Sequence, residues 1–177
     1  MIGVSLGVGK MNSKNKGNSF ERKIANLLSS RFEERTGIKQ AFRRNSDSGS
    51  YFGGTNQVRL QTHDTNKANL GDIICPVDFA YTVECKHYKS PPIFKNIMQQ
   101  ECKNWDGWLE QAEQDSKNSG KRMMLIIKYN NVSEIVILRE PVPNTFNLPY
   151  KSYFVADLSA FLAQDDSVFF EVQDKGE

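Results

Sequence analysis

Cysteine and histidine are scarce in this chain, three and two among 177 residues. Cys75, Cys85 and Cys102 are odd in number and form no Cys-x-x-Cys pair. That argues against a disulfide framework and a cysteine-built zinc centre, and favours a reducing, cytoplasmic setting. His63 has no second histidine within a motif and reads as a surface residue. No apolar run nears the roughly 20 residues that cross a bilayer, so no membrane partner is expected. Met1–Lys10 is mildly apolar but lacks a basic stretch before it and a small-residue cleavage site after it. It reads as a loose lead and not as a signal peptide. There is no internal repeat.

Net charge is also low, +2, but it is unevenly spread. Residues 10–44 hold ten basic against three acidic side chains, and residues 157–177 one against six. A basic first quarter points to a polyanionic partner, although Arg31 and Arg35 read as a solvated helix face. The acidic end would keep its side of the molecule off a polyanion. With 25% charged and 38% hydrophobic residues, the rest is ordinary for one soluble domain with a real core. The expected organisation is a flexible basic arm over 1–17, carrying Lys14 and Lys16, then a single domain over 18–177.

Asn18 reads as the start of a first helix. Phe20, Ile24, Leu27, Leu28 and Phe32 fall at one-face spacing, and Gly37 ends it. Glu21, three residues after Asn18, suits a capping box. Ile38–Arg44 reads as a first strand, leading into a Ser/Asp/Gly-rich turn at 45–49. Residues 50–70 form a long insertion, with Tyr51 and Phe52 available for stacking and a candidate strand at 57–62. Ser90 followed by Pro91 signals a helix start. Phe94, Ile97, Met98, Trp105, Trp108, Leu109 and Ala112 predict one long helix, bent at Gly107 and stopped by Gly120. Both tryptophans read as core. Gln99, Gln100 and Gln111 have the reach for a phosphate, though glutamines are common on any surface. Met123–Ile127 is a continuous apolar run, as in a central strand covered on both faces. Strands at 134–138, 153–155 and 168–172 and a helix near 158–163 follow, with 141–149 as a loop.

The densest chemistry lies in Gly71–Lys86. Two apolar runs, 73–77 and 79–83, meet at Asp78, which is a hairpin signal; Pro76 implies an edge or a bulge. Side chains alternate along a strand, so Glu84 and Lys86 share one face and Cys85 takes the other. With Asp72 on a neighbouring strand, two carboxylates and an ammonium share a pocket. That set suits phosphodiester hydrolysis. Carboxylates hold Mg²⁺, a hard cation that takes oxygen ligands. The cation acidifies a water and offsets charge on the phosphate, while Lys86 can orient that water or stabilise the transition state. Glu-x-Lys alone is common and fits a solvated ion pair at a strand end equally well. Asp78 is the rival aspartate, but it sits six residues before Glu84, in the turn.

Gly71-Asp72-Ile73 followed by Val83-Glu84-Cys85-Lys86 resembles the motif of the PD-(D/E)xK nuclease superfamily. Gly71 stands where the family name has proline, a variation that leaves the chemistry unchanged. The resemblance implies a restriction-endonuclease-like α/β fold, a mixed central sheet flanked by helices with an α-β-β-β-α-β core. It implies Asp72, Glu84 and the main-chain carbonyl of Cys85 as metal ligands, and Lys86 as the catalytic lysine. Gly17-x-x-x-Glu21-Arg22 and Arg44-x-x-x-Ser48-Gly49 are similar to two segments of the archaeal-type Holliday-junction resolvases. On that likeness Glu21 stands beside the metal site, a role compatible with capping, and Ser48 serves catalysis. Arg44, Ser48 and Gly49 would hold phosphate through a planar guanidinium fork, a hydroxyl and a close backbone. Lys14, Lys16, Arg43 and Lys89 are further expected DNA contacts.

The activity so implied is a structure-selective DNA endonuclease that uses Mg²⁺, with Mn²⁺ able to substitute. It would act as a homodimer on four-way junctions, making paired nicks and leaving 5′-phosphates. The 50–70 insertion departs from the compact resolvase pattern and keeps a restriction or repair nuclease open. A DNA-binding module that does not cut is opposed by the intact Asp72, Glu84 and Lys86. A protein-interaction scaffold has only the acidic tail in its favour.

Overall fold

The computed structural model describes residues 13–46 and 70–171. Ser48, Gly49, His63, the aromatic pair at 51–52 and the candidate strand at 57–62 lie outside the described residues.

A five-stranded mixed sheet forms the centre, in the order β3-β4-β5-β7-β6. Its strands are β3 (Tyr81–Tyr88), β4 (Arg122–Tyr129), β5 (Ile135–Leu138), β6 (Leu148–Tyr150) and β7 (Tyr153–Asp157). β3 and β4 run parallel and the remaining pairs antiparallel. The parallel pair requires a crossover, which is supplied by the helices between them. Met123–Ile127 is buried throughout, as its uninterrupted apolar run requires. Its residues alternate between two cores. Met124 and Ile126 join α1 (Ser13–Arg31) and α5 (Leu158–Leu162); Met123, Leu125 and Ile127 meet Trp105, Leu109 and Ala112 of α4 (Lys103–Ser119). The result is three layers, helix on sheet on helix.

Several expected boundaries shift, each for a visible reason. α1 begins at Ser13, five residues before Asn18. Asn18 is therefore internal and no cap; its Oδ1 instead accepts from Arg44 Nη2 at 2.9 Å. Lys14 and Lys16 accordingly stand on helix and not on a flexible arm. Phe20, Ile24 and Leu28 are buried, but Leu27 lies off that stripe and is exposed. Gly37 closes a separate turn, α2 (Glu33–Thr36).

The first strand shrinks to β1 (Arg43–Arg44), which pairs antiparallel with β2 (Ile73–Ile74) in its own two-stranded ribbon. Phe42 just before it is tied to α1, where Ser29 Oγ exchanges hydrogen bonds with the Phe42 main chain at 3.0 and 3.1 Å. The expected hairpin opens likewise. β3 takes β4 as its ladder partner, and the link back to β2 is Asp72 N–H donating to Val83 O at 2.8 Å.

The long helix is two helices, α3 (Phe94–Met98) and α4. The interruption falls at 99–102, where Gln100 has φ +57°, and not at Gly107, which α4 passes through. Tertiary bonds replace helical ones there: Cys102 N–H donates to the Tyr150 hydroxyl at 2.8 Å, and Lys151 N–H to Gln100 Oε1 at 3.0 Å. Ser90 and Pro91 lie before α3, whose N-cap is Ile93. Gly120 does stop α4, in the left-handed region at φ +74°. The expected 168–172 strand is a 3₁₀ turn over Asp166–Val168, with one bridge between Phe79 and Phe170. β6 occupies the end of the expected 141–149 loop, and its edge position tolerates Pro149. Among the described residues no helix is long and apolar enough to cross a membrane.

Candidate active site

Among the described residues β3 is an edge strand, so half of its main-chain groups have no ladder partner there. Those of Val83 and Cys85 point off the free edge. Val83 O accepts from Asp72 N–H, and Cys85 N–H donates to Asp72 Oδ2 at 2.9 Å. Asp72 is further fixed through its carbonyl, which accepts from Asn45 N–H at 2.8 Å. Gly71 makes the approach possible. It sits at φ +81°, closed to proline, and a Cβ there would stand 2.6 Å from Val83 O. Glycine in place of the motif proline is thus a requirement of this backbone.

Glu84 and Lys86 lie on the α4 face of β3, as alternation dictates, and Cys85 goes into the opposite core. Lys86 Nζ donates to Glu84 Oε1 at 2.5 Å and to Gln111 Oε1 at 3.1 Å, and Gln111 Nε2 donates to Glu84 Oε1 at 2.7 Å. The three side chains close a ring. Glu84 is 1% exposed, and its Oε2 has no hydrogen-bond partner among the described residues. Burial first and Asp72 second push its pKa up to about 8, against the pull of Lys86. Burial disfavours the Lys86 ammonium, but Glu84 and Asp72 outweigh it and raise its pKa, so it stays charged.

Glu21 reaches the same place from α1, across the sheet edge. Its Oε2 accepts from Arg44 Nε at 2.5 Å. Burial raises its pKa, with Asp72 adding and Arg44 opposing. Asp115, one turn beyond Gln111 on α4, is pushed up to about 6 by burial and then by Asp72. Together these residues line an open cleft of about 1090 Å³ between the start of α1, the Gly71–Asp72 turn and α4.

Glu21, Arg44, Asp72, Glu84 and Lys86 are therefore brought together, and Cys85 is present through its main chain. Lys14 lines the cleft mouth with Gly17 and Asn18, while half-buried Lys16 is not among the lining residues. Arg43 and Arg44 are successive strand residues, so Arg43 points to the other side and is exposed. Lys89 is exposed just past β3. Arg44 already spends Nε and Nη2 on Glu21 and Asn18, which leaves only part of its fork for a phosphate. The rival Asp78 is elsewhere, 3.5 Å from Arg35. Sequence reasoning gave Gln111 no more than a phosphate contact and missed Asp115. Their signal was spacing: residues 111 and 115 share an α4 face, one turn apart.

The donor set fits a hard divalent cation. It is all oxygen, it includes one buried carboxylate oxygen left without a partner among the described residues, and the Asp72 carboxylate adds to the burial that raises the pKa values of Glu84 and Glu21. Among the described residues no three His, Cys, Asp or Glu side chains cluster tightly enough to cage a metal by themselves. Such sparse protein ligation is usual for Mg²⁺, which keeps several waters.

A family model described as "Phage putative PDDEXK endonuclease" matches residues 12–173. Among solved structures, Hjc of Archaeoglobus fulgidus, a Holliday junction resolvase from an archaeal hyperthermophile, is 16% identical. That match covers 87% of this chain and 93% of the other, with a TM-score of 0.37. No curated protein matches the chain.

Proposed function

The chain belongs to that phage PDDEXK endonuclease family, and from this premise we propose that it is a Mg²⁺-dependent, structure-selective DNA endonuclease resolving four-way junctions as a homodimer. The observation that carries the reading is the ring of Glu84, Lys86 and Gln111 beside Asp72, with Glu84 lining the cleft and its buried Oε2 unpartnered among the described residues.

Asp72, Glu84 and the Cys85 carbonyl would hold the cation. A strand residue projects its N–H and C=O to the same side, and the Cys85 N–H faces Asp72, so its carbonyl faces that way too. When bound, the cation neutralises charge growing on the scissile phosphate and makes a water acidic enough to attack at neutral pH. Glu84 would hold the cation as a carboxylate, whereas burial, helped by Asp72, keeps its proton on near neutrality without one. Lys86, held charged, faces the phosphate and stabilises the anionic transition state. Gln111 fixes both side chains and has no charge of its own to repel DNA. Glu21 and Arg44 form a paired wall on the α1 side, where an arriving phosphate competes for the guanidinium.

Support for a resolvase over other nucleases comes from the Gly17–Arg22 and Arg44–Gly49 likenesses and from the pairing of Glu21 with Arg44 in the cleft. Junction specificity then needs two such clefts, one per protomer, related by the two-fold symmetry of the DNA. The test offers four-way junction, linear duplex and single-stranded DNA side by side, with Mg²⁺ or EDTA. Paired nicks in the junction only with Mg²⁺ are expected. Equal cutting of linear duplex would leave a general or sequence-directed nuclease, and no cutting at all would remove the enzyme reading.

A further inference from the structure

The segment that follows the catalytic strand carries an apolar patch that the site does not use. Ile93, Phe94 and Met98 are 64%, 74% and 65% exposed. Phe94 and Met98 lie one turn apart and share a face of α3. The helix is nevertheless firmly seated. Ile97 packs on the α4-side core, Glu101 N–H donates to Asn96 O, and Gln100 Oε1 is bonded to Lys151 N–H. At its other end Tyr88 meets Trp108 edge-to-face, ring centres 5.5 Å apart. Trp108 is one turn from Gln111 on α4, so the Tyr88 end of this segment lies within a helical turn of the Glu84–Lys86–Gln111 ring.

Charge identifies the occupant. Between Tyr88 and Gln100 the chain has no acidic residue, and Lys89 and Lys95 are both exposed. A two-fold contact with a second copy would bring these lysines towards their own equivalents with no carboxylate in the segment to offset them. A polyanion with apolar faces suits the surface better. Paired, stacked duplex shows mainly phosphate and sugar to an outward-facing side chain, whereas opened or branched DNA exposes base faces. Apolar wedges with flanking cations are a general means of holding unstacked base steps.

We propose that Ile93, Phe94 and Met98 form a wedge that stacks against unpaired or unstacked bases of branched DNA, with Lys89 and Lys95 on the adjoining phosphates. The inference rests on the nuclease reading and deepens it: the wedge selects the DNA shape and the neighbouring cleft cuts it. Because these side chains are exposed, the doubly substituted Phe94→Ala/Met98→Ala chain is expected to fold, which its thermal melt would verify.

The experiment measures binding in EDTA at fixed salt to a four-way junction carrying 2-aminopurine at the branch, and to linear duplex of the same sequence. Sedimentation equilibrium of the free protein runs alongside. The double variant should lose about tenfold in junction affinity, lose the 2-aminopurine rise that the wild type produces, and keep its duplex affinity and mass. Lys89→Ala/Lys95→Ala should lower the salt slope for both DNAs by up to about two. Unchanged junction affinity in the Phe94/Met98 variant, with wild type binding well, overturns the wedge and leaves the nuclease reading standing. A loss of dimer mass in that variant assigns the patch to a second copy and also overturns it. A wild type that binds no DNA removes both readings together.

Discussion

Glu84→Gln should make this protein more stable and inactive at once, and the size of the gain can be worked from the site. Glu84 ionises ordinarily at 4.5 but is pushed to about 8 in the folded chain. A carboxyl whose pKa rises on folding stabilises while it stays protonated, and that stability is lost as pH climbs from the unfolded towards the folded value. Each pH unit within that window costs about 1.4 kcal/mol. At pH 7 the loss is on the order of 3 kcal/mol, and at pH 8.5 it approaches about 5 kcal/mol, a large part of a typical domain's 5–15 kcal/mol. Glutamine is close in shape to the protonated acid and keeps an acceptor for Lys86 and Gln111. Urea melts of both proteins in EDTA should therefore coincide near pH 4 and separate steadily to pH 8.5, the variant being the more stable. Adding Mg²⁺ should raise the wild type, by ~2.7 kcal/mol at a hundredfold excess over Kd, and leave the variant unmoved. Parallel pH curves would refute the reasoning, for Glu84 would then be ionised in the fold at no cost.

Asp72→Ala should abolish cleavage yet keep DNA binding in gel shifts, because a carboxylate facing phosphate repels it when no cation intervenes. Gln111→Ala should slow cleavage roughly 10-fold to 100-fold with an unchanged thermal melt, since it frees Glu84 and Lys86 from their shared partner; a wild-type rate would make Gln111 a bystander. Arg44→Ala should reduce the salt slope of DNA binding by about 0.9. It should also move the cleavage optimum to higher pH, because Arg44 is the hydrogen-bonded cation that holds the raised Glu21 pKa in check. Gly71→Ala should cost roughly 1–3 kcal/mol in a denaturant melt and impair cleavage, as its Cβ would meet Val83 O at 2.6 Å.

The parts of this site that sequence could reveal are those set by local rules. Strand alternation alone puts Glu84 and Lys86 together, and the apolar run at 123–127 announces the neighbouring strand that orders them. Nothing local could reveal that α3 and α4 are separate. Helical spacing runs unbroken from Phe94 to Ala112, and the break at Gln100 is held both by the Glu101 N–H to Asn96 O bond and by the Tyr150 and Lys151 bonds across about 50 residues of sequence. The same tertiary bonds leave Phe94 and Met98 on the outside, although their spacing matches that of the buried Trp105 and Leu109. Asn18 shows the converse error. It has the chemistry of a cap, but Arg44 claims its side chain from 26 residues away, and the helix extends past it.

The free edge of β3 explains why these devices occur together. A central strand spends every main-chain group on its ladder and has no carbonyl to offer an ion. An edge strand has such groups to spare, but left bare it invites pairing with another chain. The Gly71–Asp72 turn meets both conditions. Its N–H and carboxylate take up Val83 O and Cys85 N–H, which covers this part of the edge and brings Asp72 beside Glu84. The positive φ of Gly71 is the conformational requirement of that cover. Glu84, immediately beside it, carries the electrostatic cost, as a buried carboxyl with one oxygen unanswered. A chain selected for stability alone would fill that position with leucine or glutamine. Glutamate at that position is intelligible as a ligand for a divalent cation.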